Sequence, residues 1–130
     1  MSGYSVNIER ETLDGDDFRR VLFTGPNLQL VIMTIEPGGE IGQERHDGHD
    51  QFIRVEAGTG EGILDDERHP LEDGTALVIP AGAVHNVINT SSSEPLRLYT
   101  LYAPPEHADG TVHHTKAEAD AAEAAEAAEH

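Results

Sequence analysis

Glu44, His46 and Gln51 are metal-capable side chains set close together in the segment from Gly38 to Gly58. On a strand, positions i and i+2 point to the same face, so Glu44 and His46 share a direction and Arg45 points away. Asp47-Gly48-His49 reads as a turn, after which Gln51, Ile53 and Val55 share a face of the next strand. Two adjacent antiparallel strands would bring Glu44, His46 and Gln51 together. His49 could substitute for Gln51 or bind nearby, but its expected place is the turn tip. Asp50 should point away from Gln51 and cap the turn. A one-residue bulge near Gly48 or Gly60 would exchange Gln51 for Asp50. His85, the fourth candidate, follows the tight turn Pro80-Ala81-Gly82. It must reach the other three from elsewhere in the fold, and local spacing leaves that open.

Two imidazoles, one carboxylate and one amide oxygen form a hard-to-borderline ligand set. It suits one divalent ion of Fe, Mn, Zn, Ni or Co. The chain has no cysteine, which excludes thiolate metal sites, disulfides and thiol nucleophiles. Two His plus one carboxylate is also the ligand set of non-haem iron oxygenases. An octahedral ion with four protein ligands keeps two positions for water or substrate. With Glu44 as the only charged ligand the centre would carry about +1, favouring an anionic or deprotonated substrate and strengthening Lewis acidity. Glu44 is in addition the candidate catalytic base.

Other polar residues fit less well. His69 falls in an expected loop, and adjacent His113 and His114 should point to opposite sides of an extended chain. Tyr99 and Tyr102 lie on opposite faces of one strand, so at most one lines a pocket, and core packing is their expected role. Arg54 lies off the face of Gln51. Ser91–Ser93 has no adjacent base, and no Gly-rich phosphate loop precedes a helix.

The elements that must position these residues are short. Apolar runs rich in Val, Ile, Leu and Tyr span Phe18–Thr24, Leu28–Ile35, Gln51–Val55, Gly60–Leu64, Ala76–Ile79, His85–Ile88 and Leu96–Ala103. Gly, Pro, Asn and Asp punctuate them, which predicts an all-β sandwich or barrel. Residues 1–17 read as a polar arm or lead-in strand, 18–104 as the single core domain, and 105–130 as an extended exit followed by a helical tail. The tail is mostly Ala and Glu, strong helix formers. It has no strongly apolar face, and its negative charges crowd the C-terminal end, where the helix dipole disfavours them. It is expected to fray in solvent rather than dock.

At 130 residues the chain can bury roughly two-thirds of its unfolded surface. Its 25 acidic residues against 8 basic ones give a net charge of −17. That balance disfavours nucleic acid and anionic membranes as partners. No stretch approaches membrane-spanning length, and the N-terminus has no apolar signal-peptide core, so a cytoplasmic location is expected.

Taken together, the two segments resemble the cupin superfamily. Gly74, Pro80, Gly82, His85 and Asn89 match every defined position of that family's second motif, and Gly38 to Gly58 match the framework of its first. Glu44 stands where the family usually has its first His, and Gln51 where it usually has Glu. The phrases FRRVLFTG, GQERHDGHDQF, HNVIN, LYTLYAPPEH and GTVHHTKAEAD resemble a group of small single-domain cupins often labelled mannose-6-phosphate isomerase-like. The resemblance implies a double-stranded β-helix, or jelly-roll barrel, around one metal held by Glu44, His46, Gln51 and His85. It further implies a small-molecule ligand, possible sugar or carbonyl isomerase chemistry, and a homodimer. The alternatives are a metal-dependent dioxygenase and a non-catalytic binder of a sugar or metabolite.

The acidic surplus, with Lys116 the single lysine, also resembles proteins of salt-in halophiles. Self-repulsion on this scale is relieved by screening. The expected outcome is a melting temperature that rises between low and molar KCl; a level one would leave the charge as a solubility device.

Overall fold

The computed structural model describes residues 2–129, so Met1 of the arm and His130 of the tail lie outside the described residues. The order is α1 (Ile8–Asp14), β1 (Arg19–Thr24), β2 (Gln29–Ile35), β3 (Glu44–Arg45), β4 (Asp50–Ala57), β5 (Gly60–Leu64), β6 (Glu67–Leu71), β7 (Ala76–Ile79), β8 (Val84–Asn89), β9 (Leu96–Ala103), β10 (Val112–His113) and α2 (Lys116–Glu129). One sheet has the order β10-β1-β2-β9-β4-β7 and the other β3-β8-β5-β6, all pairs antiparallel. The architecture is the expected jelly roll.

The core follows the period of two. Val31, Met33 and Ile35 of β2, Ile53 and Val55 of β4, and Leu96 and Leu98 of β9 point inward from the larger sheet. Leu71 of β6 and Val87 of β8 meet them from the smaller one. Each such side chain contributes about 1.5–3 kcal/mol by leaving water. Gly58 lets the chain pass from one sheet to the other. Its φ is +95°, and a Cβ there would lie 2.5 Å from the Pro95 carbonyl oxygen. Only glycine meets both conditions.

Three expectations change. The N-terminal arm contains a helix, α1, started by the Asn7 side chain, which accepts a hydrogen bond from the Arg10 amide at 3.0 Å. The chain after α1 packs over the outer face of β2, where Ile32 is also buried; Arg97 donates to the Gly15 carbonyl, and the Thr34 hydroxyl does so at 2.9 Å. His69 lies on edge strand β6 rather than in a loop, with its side chain partly exposed. The tail does not fray over its docked part. Ala119 of α2 is buried in the core cluster, and Thr115 and Glu118 cap the helix start through a 3.1 Å bond from the Glu118 amide to the Thr115 hydroxyl. The Glu118 carboxylate in turn accepts from the His114 amide at 2.6 Å.

Asn89, the last residue of the second motif, closes the far end of the barrel. Its buried amide nitrogen donates to the carbonyls of Ile35, Glu36 and Glu94 at 2.9–3.1 Å, and its oxygen accepts from the Ser91 amide at 2.9 Å. Asn89→Ala strands several buried carbonyls and should cost about 3 kcal/mol of unfolding free energy. Chemical denaturation would show it as a lowered midpoint with an unchanged slope.

Candidate metal centre

The strands do not arrange the site as a simple hairpin. β3 pairs with β8, placing Glu44 directly opposite His85. β4 lies in the other sheet, between β7 and β9. The expectation that Glu44, His46 and Gln51 ride adjacent paired strands is therefore corrected: the Asp47–His49 turn carries the chain across the barrel mouth. The second motif anchors that crossing. The Gly82 amide donates to the His46 carbonyl at 2.8 Å, and the Ala81 amide donates to Asp50 at 2.9 Å. Asp50 thus faces away from the site, as expected, and caps the Pro80–Gly82 turn rather than its own.

Glu44, His46 and His85 offer ligand atoms within 4.8 Å of one another. Nδ1 of His85 lies 3.0 Å from the Ala83 carbonyl oxygen, which can only accept, so Nδ1 carries the proton. Its Nε2 is buried and without a hydrogen-bond partner among the described residues. His46 Nε2 is likewise buried and unpartnered, 3.4 Å from Glu44 Oε2 without hydrogen-bond geometry. Gln51 is 5% exposed, and its amide nitrogen donates to the Thr100 hydroxyl at 3.0 Å. That bond leaves Gln51 Oε1 buried and unpartnered. Gln51 sits opposite Tyr102 in the β4–β9 register and so shares its inner face. The Tyr102 ring stands edge-on to His46 and His49, with centroids 6.3 and 5.5 Å away. Buried polar atoms that lack partners are costly unless a bound group meets them. A divalent cation fits that requirement and this donor set.

The electrostatics agree with a cation-ready cluster. Burial is the largest single influence on Glu44 and pushes its pKa up, but His46, Arg19 and His85 together hold the carboxyl below its ordinary 4.5. Contact with Glu44 raises the His46 pKa above 6.5. Burial lowers that of His49, and burial with the nearby Arg19 lowers His107 to about 3, so both are neutral at pH 7. Burial raises the Tyr102 phenol, which stays protonated.

Several residues near the centre were not expected there. His49, expected at the turn tip with binding nearby as its alternative, lies beside the centre. It packs 4.6 Å from the His46 ring and forms a second ligand group with His46 and Glu106, its Nε2 lying 3.1 Å from Glu106 Oε2. Glu106 and His107 lie in the segment that leaves β9, which folds back over the mouth. Buried Gln29 holds it there: its oxygen accepts from the Glu106 and His107 amides at 3.2 and 2.9 Å, and its nitrogen donates to the His107 carbonyl at 2.8 Å. Arg19, Glu44, His46, Glu106, His107 and Glu123 are among the residues lining a cavity of about 250 Å³. His113 lines it too, while His114 turns outward to Asp17 at 2.6 Å, the opposed pair expected of an extended chain. Arg54 pairs with Glu56 at 3.2 Å away from the site. The signal for Arg19 was available: in the run Phe18–Thr24, alternation places Arg19 with Val21 and Phe23, an apolar face. Gln29→Leu keeps the volume and removes the clamp. Amide hydrogen exchange at Glu106 and His107 should then accelerate while the β-strand core keeps its protection.

The Cupin domain family matches residues 31–102 of this chain. The uncharacterised protein YrkC of Bacillus subtilis is 46% identical over 92% of this chain and 67% of its own length. The uncharacterised protein L612 of Acanthamoeba polyphaga mimivirus is 43% identical over 84% of this chain and 70% of its own. The crystal structure of BH2720 from Bacillus halodurans is similar over 92% of this chain and 95% of that one, with a TM-score of 0.90 and 46% identity. KdgF from Halomonas sp. gives a TM-score of 0.62 at 25% identity, over 68% of this chain and 80% of that one.

Proposed function

We propose a metal-dependent function from one premise: this chain belongs to the cupin family. Proteins of that family commonly bind small-molecule ligands. Our reading is a single divalent ion held by Glu44, His46, Gln51 and His85, serving a small oxygenated metabolite in the cavity beside it. The observation that carries it is the set of buried atoms, Nε2 of His46, Nε2 of His85 and Oε1 of Gln51, that lack hydrogen-bond partners among the described residues beside an ionised Glu44. The favoured chemistry is isomerisation of a sugar-like or other carbonyl compound, in line with the likeness to mannose-6-phosphate isomerase-like cupins. A bound ion would supply Lewis acidity toward a carbonyl. Glu44 is the base, since its carboxylate is ionised at neutral pH. Neutral His107 and protonated Tyr102 shape the site without adding charge. His49 and Glu106 form a second group within reach of the same imidazole. A homodimer belongs to the same proposal. Among the described residues no helix is long and apolar enough to cross a membrane.

Elemental mass spectrometry on tag-free protein tests this reading. Wild type should carry about one divalent metal per chain, and a His46→Ala, His85→Ala variant should lose it. No metal in either, after incubation with Fe(II), Mn(II) and Zn(II), would overturn it. Oxygen uptake by the Fe(II) form would move the reading from isomerase to dioxygenase.

A further inference from the structure

Arg19 is an expensive residue to place where it stands. Its side chain is 2% exposed, on β1, and lines the same cavity as Glu44 and His46. A guanidinium offers five N–H donors in a planar fork that matches a carboxylate bidentately. Here the fork is poorly filled. One terminal nitrogen lies 3.4 Å from His113 Nδ1 and 3.7 Å from Glu123 Oε1, the latter beyond hydrogen-bond reach. Nε is buried and has no partner among the described residues. A buried cation with unfilled donors is retained at a cost in stability, unless a ligand completes it.

Glu123 comes from α2, whose hold on the barrel is light. Among its described residues the buried one is Ala119, and its first turn is tied by Thr115 and Glu118. The Glu123 side chain is about half exposed, at 52%. We propose that Arg19 anchors a subsite for the carboxylate of a small organic acid, and that Glu123 is its stand-in when that acid is absent. The subsite rests on the metal-centre reading only for what the other end of the acid would meet, across the cavity at Glu44 and His46. Exchange of one carboxylate for another leaves the charge beside Arg19 unchanged, so the acidic lining does not oppose it. Glu126, a second α2 carboxylate on the cavity, leaves with Glu123 when the helix yields. A phosphate dianion would instead add charge next to Glu44 and Glu106. The volume, about 250 Å³, is below the usual range for drug-sized ligands and limits the acid to metabolite size.

The test uses the full chain, once stripped of metal by a chelator and once loaded with Mn(II). Glycolate, a monocarboxylate, is titrated by calorimetry, with ionic strength held constant by KCl. The metal-free wild type should bind glycolate saturably, and α2 amides should exchange faster in the complex. Glu123→Gln removes the stand-in and should tighten glycolate binding about two- to fivefold. Arg19→Gln should weaken it at least about tenfold. Glu123→Gln decides the matter alone if the Arg19 variant does not fold: affinity equal to or below wild type overturns the proposal. So does inorganic phosphate binding more tightly than glycolate, or glycolate binding retained in folded Arg19→Gln. Mn(II) affinity measured on the same preparations separates the two readings. Mn(II) bound with no glycolate binding removes the Arg19 subsite alone, while glycolate bound without Mn(II) affinity removes the metal reading alone.

Discussion

The pairing of β3 with β8 is the constraint on which the site depends. It is only two residues long, yet it sets Glu44 opposite His85 and so joins the two motif segments. The short ladder is reinforced by backbone and side-chain bonds from the second segment: Gly82 to the His46 carbonyl, and Asn86 Oδ1, which accepts from the Gly42 amide at 2.9 Å. These bonds fix the strand that carries the ligands before any ion is considered. Rigid delivery matters because a metal site tolerates little error in ligand position.

A second layer of bonds decides which atom each ligand presents. The Ala83 carbonyl accepts from His85 Nδ1 and leaves Nε2 open; the Thr100 hydroxyl accepts from the Gln51 amide nitrogen and leaves Oε1 open. In both cases one buried atom is left without a partner among the described residues and free to meet a ligand. The same logic holds at the mouth, where Gln29 uses both ends of its amide to fold the exit segment back over the cavity. Amides and imidazoles, ambiguous in sequence, acquire one role each from a neighbour.

Much of the barrel was legible because period-two apolar runs and glycine-proline punctuation survive in the sequence. Gly58, Gly82 and Asn89 each announce a local backbone need. The sheet to which β3 belongs was not legible. Asp47-Gly48-His49 reads as a hairpin turn, and nothing in its residue types separates a hairpin from a crossing between sheets. Arg19 was half visible: alternation put an arginine on an apolar face of β1, a local conflict of the kind that marks functional positions. Helix α1 had its own signal in Asn7 followed by acidic Glu9 and Glu11, at seven residues too short for strong periodicity. The formation of α2 followed from alanine content, but its docking did not, because one buried methyl group and a capping pair decide it.

The cavity also qualifies what the chain's net charge means. A charge of −17 suggests surroundings hostile to anions, yet the cavity holds a buried cation, Arg19. Arg19 lies inside, close enough to help hold Glu44 ionised, and two of the cavity's carboxylates belong to a helix with a light grip on the barrel. Local potential in a low-dielectric recess is dominated by the nearest groups, while water and salt screen the distant exposed charges. A single buried guanidinium can therefore set the ligand preference of a strongly acidic protein, provided that the acidic groups beside it are either engaged by the metal centre or free to move away.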